Sequence, residues 1–238
     1  MIVFNGISLE SVANVKIEDI RVYPIRYNPV TRPRAIRFGS EFVRMNGGER
    51  TVAITFALLD TDRITRHQSF MNISKWARTD AEYKLELPIE PNLYLTCVCT
   101  AKPEPSTRQW WESKLRLTFT CYSNPYWTSK DEKSVSCGTQ FTVLGNAPPL
   151  MRIERTLSSS ASNQSYGITV PQGTSLETMS FTTIPAGNLV IDLNNQTAYV
   201  GAANIMEFYT AFSTFIIPRV GTQTITGTGT VKYRERFE

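Results

Sequence analysis

The chain has 238 residues, of which 41% are hydrophobic and 19% charged, a composition that predicts one large or two smaller folded domains and excludes a disordered protein. Its formal net charge of +4 is too small for a dedicated nucleic-acid-binding surface, so no stable binding of nucleic acid is expected. No stretch approaches about 18 consecutive apolar residues, and the first residues lack the pattern of a signal peptide, so neither a membrane partner nor secretion is expected.

The first clear strand lies at residues 15–23. Val15 and Ile17 alternate with polar residues, and Ile20 and Val22 resume the alternation after a slip of one residue. A period of two is typical of a β-strand, and the slip predicts a β-bulge within it.

A segment rich in proline and arginine follows this strand. Pro29 and Pro33 lie four residues apart, and because proline cannot donate a hydrogen bond in a central strand, a loop or an edge hairpin is predicted. The positive excess of the chain lies in residues 1–140, which contain 19 Lys and Arg against 15 Asp and Glu. We expect the arginines here to donate hydrogen bonds and ion pairs between subunits, or to cover a solvated strand face, in preference to binding phosphate. They are Arg21, Arg26, Arg32, Arg34 and Arg37.

Residues 42–58 carry a hairpin signal. The strand-like segments Phe42–Met45 and Arg50–Leu58 are separated by Asn46-Gly47-Gly48-Glu49. Because an Asn-Gly pair between apolar strands favours a tight turn, we predict a strand, turn, strand unit.

A single helix is predicted over Ile64–Arg78. Apolar residues recur within it at nearly helical spacing, and the aspartates in residues 60–62 can cap its first turn. His67, the only histidine of the chain, has no partner at metal-ligand spacing and is interpreted as a surface or packing residue.

The cysteines all lie in the first part of the chain. Without a secretion signal we expect reduced thiols that are mostly buried in strands, with disulfide pairing as a less favoured alternative. Their spacing does not match the paired ligands of structural zinc sites, so no metal is expected. They are Cys97, Cys99, Cys121 and Cys137.

A change of composition near Gly145 predicts two domains, residues 1–145 and 146–238. The prolines at 148 and 149 can stop strand pairing and redirect the chain. Beyond them Lys and Arg are sparse, and short strands recur at a spacing typical of a β-sandwich. These strands are Met151–Thr156, Tyr166–Val170, Ser180–Ile184, Leu189–Asp192, Ala198–Val200, Phe212–Ile217, Gln223–Thr228 and Thr230–Arg234. The predicted fold class is therefore mainly β, with two β-sandwich domains and one helix in the first.

The sequence contains no recognised catalytic motif. Nucleophile elbows, phosphate-binding glycine loops and the His-Glu-x-x-His helix are absent, and one histidine leaves no usual triad or Cys-His pair unless His67 serves. Two carboxylates from distant strands could still form a glycosidase site, although the second domain has few acids. We expect a non-enzymatic protein without cofactor or metal.

Two groups of aromatic residues are candidates for contacts. Trp110 and Trp111 are adjacent, so on a strand they point to opposite faces, and an exposed one favours a subunit contact. In the second domain a set of aromatic rings could stack on sugars, although a sandwich core is the favoured role for them. This set is Tyr166, Tyr199, Phe208 and Tyr209.

Several short motifs, taken in order along nearly the whole chain, resemble the distal tail proteins of long-tailed, non-contractile bacteriophages, the siphophages. Each motif is short, and their order and spacing carry the resemblance. They are the opening Phe4-Asn5-Gly6, the step Asn124-Pro125-Tyr126-Trp127 after an apolar strand, the linker Gly145–Pro149, the strand Leu189–Asp192, the segment Ile216-Ile217-Pro218 with Gly221, and the closing strand at Tyr233–Phe237.

The resemblance implies a structural virion protein of the tail tip, assembled in the host cytoplasm. Its N-terminal domain would form a homo-hexameric baseplate ring around a channel for DNA, and its C-terminal domain would be a galectin-like or carbohydrate-module-like sandwich. Such a ring contacts the tail tube protein and the tail-associated hub or lysin protein, and receptor-binding proteins dock on it for host adsorption. Within it, the candidate inter-subunit contacts are Arg32, Arg34, Arg37, Trp110 and Trp111.

Two other functions are compatible with the sequence. The main alternative is a carbohydrate-binding adhesion module that recognises a host cell-wall glycan through residues 146–238. A tail-tube or tail-completion protein is the other, and it would stack into tubes where a distal protein stops at one or two rings.

Overall fold

The computed structural model describes residues 1–33, 40–105, 114–171, 175–210 and 213–238, with the backbone alone at residues 28–33, 40–47, 102–105 and 175–176. The chain is mainly β, as predicted, and its strand pairs are antiparallel within each of two units. The first unit comprises residues 1–127 together with residue 238, and the second comprises residues 128–237.

The first unit contains one antiparallel sheet and two helices in its described residues. Its strands follow the order β3-β5-β8-β7-β6-β1-β2, and β4 pairs with β5. The elements are β1 (Val3–Phe4), β2 (Ile7–Ser8), α1 (Leu9–Val12), β3 (Val15–Val22), β4 (Arg26–Pro33), β5 (Ser40–Leu58), α2 (Arg63–Ala77), β6 (Tyr83–Glu86), β7 (Leu93–Pro105) and β8 (Lys114–Cys121), and β9 (Trp127–Ser129) begins at the end of this unit.

The predicted bulge in β3 is confirmed. Ile17 lies opposite Phe56, but the next pair is Asp19 with Thr55, so one residue of β3 is left without a partner in the register. The bulge keeps apolar residues facing the core on both sides of the slip in the sequence.

The hairpin predicted at Asn46-Gly47-Gly48-Glu49 is wrong. β5 runs without a turn from Ser40 to Leu58, and its first half pairs with β4. Gly48 is required for a different reason: a Cβ at this position would collide with the backbone carbonyl of Arg26. The glycine therefore permits a close approach of two strands, where an Asn-Gly turn was expected.

The predicted helix is confirmed as α2. The Asp62 carboxylate accepts hydrogen bonds from the backbone N–H groups of Ile64 and Thr65 and so caps its first turn. Trp76 is buried, and its indole N–H donates to the carbonyl of Ile7 at 3.0 Å. The one-turn helix α1 was not predicted, because four residues are too few to show a helical period.

The second unit is a β-sandwich of two antiparallel sheets, as predicted. One sheet has the order β17-β16-β15-β12-β19-β10, and the other has the order β11-β18-β13-β14. The strands are β10 (Lys133–Ser136), β11 (Gln140–Val143), β12 (Ala147–Leu157), β13 (Ala161–Thr169), β14 (Ser175–Ile184), β15 (Gly187–Asp192), β16 (Thr197–Val200), β17 (Ala203–Asn204), β18 (Gly221–Thr226) and β19 (Thr230–Phe237). Both sheets supply its core, for example Ile153 and Ile191 from the first and Phe181 and Ile225 from the second.

The second unit begins earlier in the chain than the expected boundary near Gly145. Residues 128–145 belong to it because β10 pairs with β19 and β11 pairs with β18. Phe141 and Val143 of β11 are part of its buried core. The proline-containing linker thus leads from one strand of the sandwich into the next.

One predicted strand of the sandwich, Phe212–Ile217, is not formed by residues 213–217, the part that is described. Phe215 and Ile216 are nevertheless buried in the core. The backbone N–H of Ile217 donates to the carboxylate of Glu177 at 2.7 Å. A side chain therefore satisfies a backbone donor that a neighbouring strand would otherwise bind.

Candidate assembly site

The predicted inter-subunit residues are largely outside the described part of the chain. This holds for Arg34, Arg37, Trp110 and Trp111. Arg32 lies in β4, where its backbone is opposite Glu41 of β5. The contact role of these five residues therefore stays a prediction.

The segment that carries Arg32 forms a two-stranded ribbon, consisting of β4 and residues 40–49 of β5. These residues of β5 pair with β4, whereas residues 50–57 lie in the main sheet between β3 and β8. Among the described strands, β4 pairs with β5 alone. A two-stranded ribbon is marginally stable in water, and its edge presents unpaired backbone groups. The ribbon therefore presents a strand edge that is unpaired among the described strands.

A cleft of about 650 Å³ lies in the first unit at the base of the ribbon. Its walls combine apolar and aromatic side chains with one arginine and two glutamates. The lining residues are Val22, Tyr23, Pro24, Ile25, Tyr27, Arg50, Ile89, Glu90, Trp127 and Glu238. Tyr23, Tyr27 and Ile89 are exposed, whereas Ile25 and Trp127 are buried.

Arg50 is the buried charge of the cleft, with only 4% of its surface exposed. Its Nε and Nη1 atoms have no hydrogen-bond partner among the described residues. Burial lowers the pKa of Arg50, and the attraction of Cys121 and Glu238 opposes this effect. Sequence reasoning missed Arg50, although it is in phase with the buried Val52 and Ile54 on β5 and therefore faces the same side.

A hydrogen bond between Tyr27 and Glu238 forms part of the cleft. The Tyr27 hydroxyl donates to Oε1 of Glu238 at 2.6 Å. This bond, together with burial, raises the pKa of Tyr27, because the phenol is held in its donating form. The lining side chains thus carry one positive and two negative formal charges, which disfavours a strongly anionic ligand.

The second unit carries a network of ion pairs centred on Arg152. Its guanidinium donates to both carboxylate oxygens of Glu132, at 2.8 and 2.9 Å, and to Glu154 at 2.6 Å. Lys232 pairs with Glu154 at 2.7 Å. The hydrogen bonds from Lys232 and Arg152 hold the pKa of Glu154 below its usual value. This network joins β12 to β19 and to the segment before β10.

The aromatic residues considered for sugar stacking belong mostly to the core of the second unit. Tyr166 is fully buried, and Phe208 and Tyr209 pack against the same core. Tyr199 is exposed. A stacking platform made of all four rings is therefore not present.

All four cysteines are free thiols. Cys97 and Cys121 are fully buried, and burial raises the pKa of Cys97 and raises that of Cys99 to about 11. No group of three or more potential metal ligands occurs among the described residues. In the same part of the chain, no helix is long and apolar enough to cross a membrane.

The whole chain, with both units, has a fold similar to that of a solved bacteriophage protein. The SPP1 Dit (gp 19.1) protein, called a paradigm of the hub adsorption apparatus in phages that infect Gram-positive bacteria, aligns with a TM-score of 0.75 at 16% identity, over 100% of this chain and 98% of that chain. Two structures of the phage p2 baseplate in its activated conformation, with Sr and with Ca, give a TM-score of 0.46 at 8% identity, over 94% of this chain and 91% of the matched chain.

The predicted resemblance to distal tail proteins is thereby confirmed at the level of the fold. No family model matches the sequence, and no curated protein matches it.

Proposed function

We propose that this protein is a structural component of a siphophage tail tip, where six copies form a ring at the distal end of the tail tube. The observation that carries the proposal is the fold similarity to the SPP1 Dit protein over the full length of both chains. That protein's described place in a hub adsorption apparatus is the source of the assignment to the tail tip.

The ribbon supports an oligomeric role. Its two strands leave the main sheet and pair only with each other among the described residues. In a ring, each copy contacts one neighbour through one surface and the other neighbour through a second surface. The unpaired edge of the ribbon would then be covered by a neighbouring subunit in every copy. On this proposal Arg32, Arg34, Arg37 and the Trp110–Trp111 pair contact the neighbouring subunit.

The proposed partners follow from the position of the ring. One face contacts the tail tube protein, and the other contacts the tail-associated hub or lysin protein. Receptor-binding proteins dock on the sandwich of the second unit for host adsorption, and DNA passes through the central channel without stable binding. The second unit acts as a docking surface in this arrangement.

Mass photometry and electron-microscope class averages of the purified full-length chain test the proposal. We expect six-fold rings with an open lumen and a mass six times that of the 26.9 kDa protomer. Replacing Arg32, Arg34 and Arg37 together by Gln should leave monomers, because the variant loses donors to the neighbouring subunit.

A variant with Arg63, Arg78 and Arg116 changed to Gln is the matched control. These three arginines are exposed in the same unit, and their replacement removes the same charge. Rings should persist in this control. Stacked tubes would contradict a distal ring, and intact rings from the first variant would show that the three predicted arginines are not the contact.

A further inference from the structure

Arg50 is a buried cation, two of whose donor atoms have no hydrogen-bond acceptor within the described residues. It is 4% exposed, and both Nε and Nη1 lack an acceptor. A buried donor without an acceptor is costly, and a buried charge is more so. Glu238 attracts it electrostatically, but the Oε1 atom of that residue already accepts from Tyr27. The fold therefore retains a guanidinium that a further acceptor would stabilise.

The charges of the cleft indicate what kind of acceptor this is. Glu90 and Glu238 already place two carboxylates around the single arginine. A third carboxylate, or a phosphate, would be repelled, whereas a neutral oxygen such as a main-chain carbonyl or a side-chain amide would not.

The composition of the walls indicates a protein as the source of this oxygen. Two tyrosines, a tryptophan and an arginine surround the cleft, with Ile25 and Ile89 between them. Tyr, Trp and Arg are the residues enriched at energetic hot spots of protein interfaces.

The position of the cleft indicates which protein. Residues 22–25 of its wall lead directly into β4 at Arg26, and Arg50 follows the ribbon strand residues 40–49 on β5. The cleft is therefore continuous with the ribbon, which pairs with no other strand among the described residues.

We propose that a second copy of this chain inserts a neutral polypeptide segment into the cleft of the first copy. The inserted segment supplies hydrogen-bond acceptor oxygens to Arg50 of the first copy. The inference rests on the proposed ring and extends it, because it assigns a receiving surface to the subunit contact. A small rotation of the guanidinium presents its buried donors to the incoming oxygens, while the aromatic walls pack against the segment.

The test is the substitution Arg50→Met in the full-length chain, with assembly followed by mass photometry across protein concentrations. Methionine keeps the side-chain length and removes the unpaired charge, so the monomer should melt at the same temperature or higher. The concentration needed for half-assembly should rise at least about tenfold, the equivalent of one hydrogen bond to a charged group. A purely structural role for Arg50 predicts the reverse, namely a less stable monomer whose assembly is unchanged.

Two further variants keep the result decisive. Ile89→Glu changes an exposed cleft residue, so folding is preserved while a further carboxylate enters the cleft, and assembly should weaken to a similar degree. Arg78→Met changes an exposed arginine at the end of α2 that does not line the cleft, and it should alter neither property.

The failure of this inference can be told apart from the failure of the proposed ring. If the wild type forms rings and both cleft variants assemble at wild-type concentrations, the cleft is not the subunit contact. If the wild type remains monomeric at every concentration, the ring and the inference are both overturned.

Discussion

At the scale of single residues, Glu154 is the carboxylate whose ionisation is most clearly linked to its neighbours. Hydrogen bonds from Lys232 and Arg152 lower its pKa in the folded protein. A carboxyl whose folded pKa is depressed adds stability above its unfolded pKa of about 4.3, and this stability is lost as the pH falls through the folded value. The side chain is 29% exposed, so solvent screening reduces the effect.

We therefore expect Glu154→Gln to lower the free energy of unfolding at pH 7 by about 0.5–1 kcal/mol, the size of a partly exposed ion pair. The difference from the wild type should shrink as the pH is lowered from about 5, because the wild-type carboxyl then becomes protonated. Denaturant titrations at several pH values measure this. Glu207→Gln, at an exposed acid of the same unit, is the control; a difference that is constant with pH would exclude the linkage.

Arg50 shows what a sequence pattern can and cannot indicate about a candidate site. The alternation of Arg50 with Val52 and Ile54 places all three on one face of β5, so its burial could have been predicted. The lack of acceptors for its donors could not have been predicted, because it depends on residues from β3, β8 and β9 that are far apart in the sequence. Of the clustered arginines, Arg34 and Arg37 fall outside the described residues, and Arg32 is described by its backbone alone.

At the scale of elements, Gly48 controls how closely β4 and β5 approach. A Cβ there would meet the backbone carbonyl of Arg26, which cannot move without displacing β4. Gly48→Ala should therefore lower the free energy of unfolding by about 1–3 kcal/mol, as overpacking does elsewhere. Chemical denaturation of the two proteins measures this.

The neighbouring substitution Glu49→Ala is the control for Gly48. Glu49 is exposed on the same strand, and its replacement should change the stability by less than about 0.5 kcal/mol. Equal free energies of unfolding for Gly48→Ala and the wild type would mean that β4 can shift away from residue 48 without loss of stability. This result would contradict the close packing of Gly48 against Arg26.

Elements were predicted correctly where the local sequence signal agrees with the pairing of distant strands, and wrongly where the two conflict. The cap and the first turn of α2 lie within a few residues of each other, as does the bulge in β3. The Asn46-Gly47 signal is equally local, but the pairing of β5 with β4 prevails over it. Turn propensity is weak compared with the backbone hydrogen bonds of two long strands.

At the scale of the whole molecule, the division between the units predicts which fragments fold. The fragment 128–237 contains every strand of the sandwich and should unfold cooperatively. The fragment 146–237 lacks β10 and β11, and with them the core residues Phe141 and Val143. It should show no cooperative transition, because it leaves apolar core and two strand edges uncovered.

Thermal unfolding followed by circular dichroism distinguishes the two fragments. A cooperative transition of the shorter fragment at the same temperature as the longer one would restore the boundary to Gly145. The sequence favoured that position because the prolines at 148 and 149 can stop strand pairing and because Lys and Arg become sparse beyond it. The actual division follows from pairing of β10 and β11 with strands near the end of the chain.

The ribbon also has a consequence for how such a protein changes in evolution. Its strand residues 40–49 pair only with β4, whereas residues 50–57 hold the register of the main sheet. Insertion or deletion of two residues on each ribbon strand keeps every side chain on its original face and changes the reach of the ribbon by about 7 Å. Length variation there leaves the main sheet intact, so in the proposed ring it would change the spacing between neighbouring copies while the core stays the same.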